Sequence, residues 1–286
     1  MKPPAFEYHR PATVEEALAV LAEVGHDGKV LAGGQSLVPA LNMRLATPRA
    51  VIDINRLPGL DAIRLAPEGL VIGALARHEA VERSPLVREH APLLAMAMPH
   101  VGHEAIRTRG TVGGSLALAD PAAELPACAV ALDATIRVEG RRGRRDVAAA
   151  AFFHGIYTTA LGPGELVIEV VIPPAPGWRS AFQELARRHG DFALAGLAAR
   201  ARVESGAIGE ARFVFFGVGS APVRARRAES AVAGRRVDSE AIVAAQRALA
   251  AELDPPGDVH GSPALRRHLA AVLLSRVTAR LVEAGS

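Results

Sequence analysis

Two glycine pairs, eighty residues apart, constrain this 286-residue chain more than any other feature. Gly33-Gly34 follows Lys29-Val30-Leu31-Ala32, which reads as a short buried strand, and precedes Leu37-Val38-Pro39-Ala40-Leu41, which reads as a helix start. Gly113-Gly114 sits in a second glycine-rich stretch, residues 109–115. Glycine lets the backbone bend sharply and lets a ligand come close to the amides. Successive amides in such a bend make an anion-binding nest, and a helix start behind it adds a favourable dipole. Ser36 and Ser115 place a hydroxyl beside each pair, with Thr111 just ahead of the second. Two loops of this kind suit a diphosphate and its flanking groups. Neither is a P-loop, because no lysine follows the glycines, and the fingerprint of three spaced glycines is absent. Taken singly, either pair reads as a tight turn. Ser36 has no histidine beside it in sequence and is not a nucleophile candidate.

The rest of the chain divides around these pairs. Thr13 and Glu16 form a capping box, apolar residues follow at Val14, Ala17, Leu18, Leu21 and Val24, and Gly25 stops the helix. With strands at residues 29–32 and 50–54, the opening segment reads as a βαβ-like unit. A strand at 70–74, a helix from Ser84-Pro85 to about Met98, a helix capped by Asp120-Pro121 to about Leu132, and strands at 135–139 and 166–172 follow. Arg141-Arg142-Gly143-Arg144-Arg145 reads as a solvated hairpin turn, and Pro173-Pro174-Ala175-Pro176-Gly177 as a linker. Beyond it, residues 180–188, 193–203 and 211–218 read as successive strands of an antiparallel sheet. Helices then occupy 224–232, 239–253 and 262–283, the last with Leu265, Leu269, Val272, Leu273, Val277 and Leu281 on one face. The expected domains are residues 1–175, with subdomains 1–57 and 58–175, and residues 178–286.

Composition removes several function classes. The chain is 50% hydrophobic and 22% charged, with mean hydropathy +0.19, which is globular. No apolar run reaches the ~18 residues of a membrane span, and the start lacks a signal-like apolar stretch, so a cytoplasmic address is expected. Cys128 is the single cysteine, which excludes an internal disulfide and a self-held iron–sulfur cluster, the latter needing about four thiolates. Its apolar neighbours mark it as core. The net charge is +3, but the arginines are mostly isolated and aromatics are 4%, so nucleic acid is not an expected partner. His100, His103 and Glu104 lie close together but read as the turn before the second glycine stretch. His9, His78, His154, His189 and His260 carry no ligand spacing, so no metal is expected. Asp53, ahead of Asn55, reads as a loop-anchoring acceptor, and Asp191 as the cap of a local turn.

The wider context of the glycines is more specific. Ala32-Gly33-Gly34-Gln35-Ser36-Leu37 and Thr111-Val112-Gly113-Gly114-Ser115, followed by Ala119-Asp120-Pro121-Ala122-Ala123-Glu124, resemble the FAD-binding medium subunit of molybdenum hydroxylases. This is the flavoprotein family of carbon monoxide dehydrogenase and xanthine dehydrogenase. The resemblance starts at Phe6-Glu7-Tyr8 and Pro11, continues through residues 102–107, and reaches residues 188–193, so it spans the chain.

The resemblance implies an α+β fold: a two-part FAD-binding domain of the vanillyl-alcohol oxidase type, then a smaller C-terminal α+β domain with an antiparallel sheet. It implies that backbone amides of residues 32–36 and 111–115 hold the FAD diphosphate. It places Val101 and Leu166 along the cofactor, Glu124 near the adenosine ribose with Asp120 ahead of it, and Phe192 over one flavin face. Departures are Ala105-Ile106-Arg107-Thr108 for the usual Gln-Ile-Arg-Asn, Ser115 for asparagine, Leu118 for a histidine, and Phe192 for a frequent tyrosine. These changes bear on the polar tuning of the flavin.

With one cysteine and no molybdopterin site, the chain is expected to bind FAD and relay electrons. It would take them from the 2Fe–2S clusters of a small partner, fed by a large molybdopterin partner, in a dimer of heterotrimers. The final acceptor would be NAD, a quinone or oxygen. The alternative is a self-contained FAD-dependent oxidoreductase of the same fold, for which the segment after Pro176 offers few acid or base residues.

Overall fold

In the computed structural model, which describes residues 2–283, the first three strands are all parallel. They are β1 (Glu7–His9), β2 (Gly28–Leu31) and β3 (Ala50–Asp53), in the order β1-β3-β2. The sequence pattern did not flag β1. Helix α1 (Val14–Val24) starts at Thr13, whose hydroxyl accepts from the Glu16 amide at 3.2 Å. The Glu16 carboxylate accepts from Ala12 N–H at 2.7 Å, so the box closes one residue ahead of the cap. Ala17, Leu18, Leu21 and Val24 bury one face of α1 against Ala50 and Ile52. Helix α2 (Leu37–Asn42) is a short turn of helix after the first glycine pair.

The second unit is an antiparallel sheet with helices inserted between its strands. It uses β4 (Ile63–Ala66), β5 (Gly69–Gly73), β6 (Thr135–Gly140), β7 (Gly143–Ala148) and, after the small hairpin β8 (Phe153–Gly155) and β9 (Thr158–Thr159), β10 (Leu166–Ile172). The order is β4-β5-β10-β6-β7. The arginine-rich turn joins β6 to β7 as expected. Between β5 and β6 lie α3 (His78–Arg83), α4 (Pro85–His90), α5 (Pro92–Ala97), α6 (Glu104–Arg107), α7 (Val112–Leu118) and α8 (Glu124–Ala131).

Three expectations change here. The helix anticipated from Ser84 to about Met98 is two, α4 and α5. Ala91 leaves the helical region (φ −141°, ψ 58°) because the ring of Pro92 crowds an α conformation at the preceding residue. The second glycine pair is no loop, since both glycines lie in the first turn of α7, capped by Thr111. Helix α8 begins at Glu124, not at Asp120-Pro121. The Asp120 carboxylate instead closes a local turn, accepting from Ala122 N–H at 2.9 Å.

The C-terminal part forms an antiparallel sheet of β11 (Trp178–Leu185), β12 (Ala195–Glu204), β13 (Ala207–Phe216) and β14 (Val223–Arg224). It is followed by α9 (Arg226–Val232), a short β15 (Arg235–Arg236) beside β13, α10 (Ser239–Ala250) and α11 (Pro263–Glu283). The strand period of two sorts its residues onto two faces. Ala181, Leu197, Ala199, Phe213 and Phe215 pack on α9, α10 and α11. Phe182, Ala198, Val214 and Phe216 instead join the core built by α5, α7, α8 and the second sheet. The C-terminal part therefore has a core of its own and also shares one with the residues before the proline-rich stretch. On α11 the buried face is Arg266, Ala270, Leu273, Leu274, Val277, Thr278 and Leu281, while Leu265 is 39% exposed. The helix is thus rotated slightly from the expected stripe, because Arg266 turns inward to the carbonyls of Leu194 and Gly217 at 2.7 and 2.8 Å.

Candidate functional site

The two glycine pairs meet. Leaving β2, the chain passes Ala32 and turns at Gly34, whose φ of +73° lies in the left-handed region. Gly33 is buried beneath the second stretch: a Cβ there would stand 2.3 Å from the Arg109 carbonyl oxygen and 2.9 Å from Gly110 Cα. A Cβ at Gly114 would stand 3.8 Å from the Ala32 Cβ and 2.7 Å from the Thr111 hydroxyl. Gly113 has a different task, since its Cβ would stand 2.5 Å from the Ala74 Cβ, so the glycine lets α7 lie directly on the end of β5.

The polar inventory of the two stretches is unequal. Among the described residues, the amides of Gly33, Gly34, Gln35, Ser36 and Leu37 donate to no protein acceptor. In the second stretch the amides are spent. Val112 donates to Ala76 O at 3.1 Å, Gly113 to Ala74 O at 2.8 Å, Gly114 to the Thr111 hydroxyl at 3.2 Å and Ser115 to Thr111 O at 3.0 Å. The expectation that both stretches offer a nest is corrected: four of the five amides of residues 111–115 are closed off by the cap and by the exit of β5. What the second stretch contributes is a seat for the first, and the Ser115 hydroxyl, which like that of Ser36 makes no hydrogen bond among the described residues. Helices α2 and α7 have only 6 and 7 residues, so the free donors here are turn amides rather than the ends of long helices.

A hydrogen-bonded bracket joins the two stretches. The Asn55 side-chain amide donates to Ala32 O at 2.7 Å and to Asp53 Oδ1 at 2.7 Å, and its oxygen accepts from Arg77 Nη2 at 2.7 Å. Arg77 Nη1 donates to the Arg109 carbonyl. Asp53 accepts from Tyr8 OH at 2.5 Å, so its reading as an anchor is met. Sequence reasoning missed Arg77, whose partners are 22 and 32 residues away. Beneath the seat, His78 is 5% exposed with neither ring nitrogen hydrogen-bonded, and burial pushes it down to about 4.

The remaining expected positions differ in burial. Leu166 is buried in the apolar cluster against which Ala32 packs, and Val101 is buried in the main core. Glu124 is 7% exposed; burial first, then the charges of Glu184 and Asp120, push its carboxyl up to about 8. Glu184, on β11, was not anticipated. Its Oε1 lies 3.4 Å from His100 Nδ1, while its Oε2 is buried without a partner. Phe192 is 70% exposed on a loop whose Gly190 (φ +84°) sits against the His103 ring. Gln35 folds back, its amide donating to Gly33 O at 3.3 Å. Cys128 is fully buried. Among the described residues, no helix is long and apolar enough to cross a membrane, and no group of three or more His, Cys, Asp or Glu is placed to hold a metal.

Residues 4–175 match the family described as the FAD binding domain in molybdopterin dehydrogenase, and residues 180–281 match the carbon monoxide dehydrogenase flavoprotein C-terminal domain. The chain is 41% identical to the 6-hydroxypseudooxynicotine dehydrogenase complex subunit alpha of Paenarthrobacter nicotinovorans, over 98% of this chain and 95% of that one. It is 39% identical to the caffeine dehydrogenase subunit beta of Pseudomonas sp. strain CBB1, over 99% and 97%. Its fold superposes on a chain of carbon monoxide dehydrogenase from Hydrogenophaga pseudoflava with a TM-score of 0.96, at 38% identity and 99% coverage of both chains.

Proposed function

Because the chain belongs to the FAD-binding flavoprotein subunits of molybdopterin dehydrogenases, we propose that it is the electron relay of such a complex. In this reading it receives electrons from the 2Fe–2S clusters of a small partner subunit and passes them to a final acceptor, while a large molybdopterin subunit oxidises the organic substrate. The assembly is a dimer of heterotrimers. FAD supplies the conversion between carriers of one electron and an acceptor of two.

The observation that carries this reading is the convergence of the two glycine stretches around unspent donors. Five consecutive amides, residues 33–37, line a turn that no protein acceptor fills. Gly33 is buried and Gly34 and Leu37 are half-buried, where N–H groups without partners are uncommon, and a diphosphate satisfies several at once. In this assignment the amides of Gly33 to Leu37 hold the diphosphate, and the Ser36 and Ser115 hydroxyls donate to its oxygens. Glu124, with Asp120 preceding it, faces the adenosine ribose as a hydrogen-bonding acid. Leu166 and Val101 form apolar walls, and exposed Phe192 is free to lie against the flavin ring. In this reading the large partner, and not this chain, chooses the organic substrate. The relatives' names accordingly differ in what they oxidise.

The test is reconstitution of the full chain with FAD, followed by assay alone and with the two partner subunits. The expected result is a retained flavin that oxidises no organic substrate unaided and is reduced when the substrate-turning partners are added. Oxidation of an organic substrate by the isolated, FAD-loaded chain would contradict the relay and favour a self-contained oxidoreductase.

A further inference from the structure

We propose that Asn55 and Arg77 act as one positioning unit, a two-residue bracket that sets the spacing of the two glycine stretches and so the affinity for FAD. The proposal deepens the FAD-binding reading above and rests on it. Its ground is geometric. Asn55 follows β3 and reaches sideways to β2's exit, donating to Ala32 O at 2.7 Å. Arg77 follows β5 and reaches to the carbonyl of Arg109, the atom against which a Gly33 Cβ would collide. Between them, Asn55 Oδ1 accepts from Arg77 Nη2 at 2.7 Å. The two main-chain carbonyls are therefore linked through two side chains that follow strands of two different sheets.

The direction of each hydrogen bond is forced. A carbonyl only accepts and a guanidinium only donates, so one orientation of the Asn55 amide satisfies both ends. Asp53 Oδ1 accepts from the Asn55 main-chain and side-chain N–H groups at 2.9 and 2.7 Å, and Tyr8 holds the other oxygen of that carboxylate. The asparagine is thus fixed before any ligand arrives. Arginine is required at the second position because its planar fork donates to two acceptors at once, which an ammonium group on a flexible stem does not reproduce. A cradle whose walls are fixed in advance spends less binding energy on ordering them.

The experiment measures FAD affinity of the full chain by quenching of flavin fluorescence for wild type, Asn55→Leu, Arg77→Met, the double variant and Arg77→Lys. Only chains with wild-type circular dichroism are titrated. If Asn55→Leu fails to fold, Asn55→Asp replaces it, since it keeps size and the acceptor for Arg77 but sets an oxygen against the Ala32 carbonyl. Each single substitution is expected to raise Kd by about tenfold or more, and the double by no more than about threefold beyond the weaker single, because contacting residues of one network are strongly non-additive. Arg77→Lys is expected to stay near Arg77→Met. Additive losses, or recovery by lysine, would overturn the bracket, since bulk charge or separate fold stabilisation would then account for the effect. Wild-type affinity in both single variants would overturn it alone. A wild-type chain that binds no FAD would overturn the FAD-binding reading and this proposal together.

Discussion

Glu124 begins α8 inside the protein, with Glu184 and Asp120 as its charged neighbours. Its carboxyl is pushed up from 4.5 to about 8, so the folded chain holds a proton that the unfolded chain has lost. Stability from this group is complete below pH 4.5 and is lost progressively as pH rises through about 8. Glu124→Gln, which stays neutral, should flatten the decline of the apo melting temperature between pH 4.5 and about 8. A variant that declines as steeply as wild type would contradict this. His78 works in the opposite sense: its depressed value means that stability is lost as pH falls from 6.5 towards about 4. At this scale the sequence was informative where chain neighbours decide the chemistry. Gly33, Gly34, Ser36 and Ser115 were legible because each sits within its own motif. Arg77 and Glu184 were not, because their partners are distant in sequence, and nothing local distinguishes them from other surface-pattern residues.

Helix α7 carries the second scale. Its N-cap, Thr111, is 2% exposed, and its hydroxyl takes the Gly114 amide. Thr111→Ala should cost about 1 kcal/mol through the lost cap, readable as a lower apo melting temperature. It should also weaken FAD retention, because Gly114 faces Ala32 across the junction. Unchanged retention in a destabilised variant would separate the cap from the site. The sequence reading took Thr111 only for a hydroxyl beside the glycines, because the glycine pair argued for a loop. Tertiary packing decided otherwise: Gly113 lets the first helical turn sit against Ala74, and the contact compensates for glycine's poor helix propensity. The split of α4 from α5 was missed, because the apolar spacing was read straight through Pro92, whose ring disfavours an α conformation at Ala91.

Across the whole molecule, the C-terminal sheet is the shared wall. Phe182, Ala198, Val214 and Phe216 face the FAD-binding part, while Phe213 and Phe215 face the C-terminal helices. Gly196 has no side chain because a Cβ there would stand 2.0 Å from the Phe216 ring. Phe216→Ala should therefore cost about 3–5 kcal/mol and lower the melting of both parts together in one transition. Two well-separated transitions, with only the C-terminal one shifted, would contradict a common core. The alternation of these strands was readable from sequence, but not which face met which partner, because both faces are apolar. Three successive strands after the proline-rich stretch, read at 180–188, 193–203 and 211–218, followed from pattern alone, and they stand at 178–185, 195–204 and 207–216.

The central claim is that a turn at residues 33–37, seated on the distant start of α7, holds one diphosphate with amides that the protein leaves free. The direct measurement is the flavin-to-chain ratio after desalting full-length protein reconstituted in excess FAD, taken for wild type and Gly33→Ala. The account predicts stoichiometric yellow flavin in wild type and a marked loss in the variant, whose added methyl presses on the Arg109 carbonyl. A colourless wild type, or an alanine variant that keeps its full complement of flavin, would contradict it.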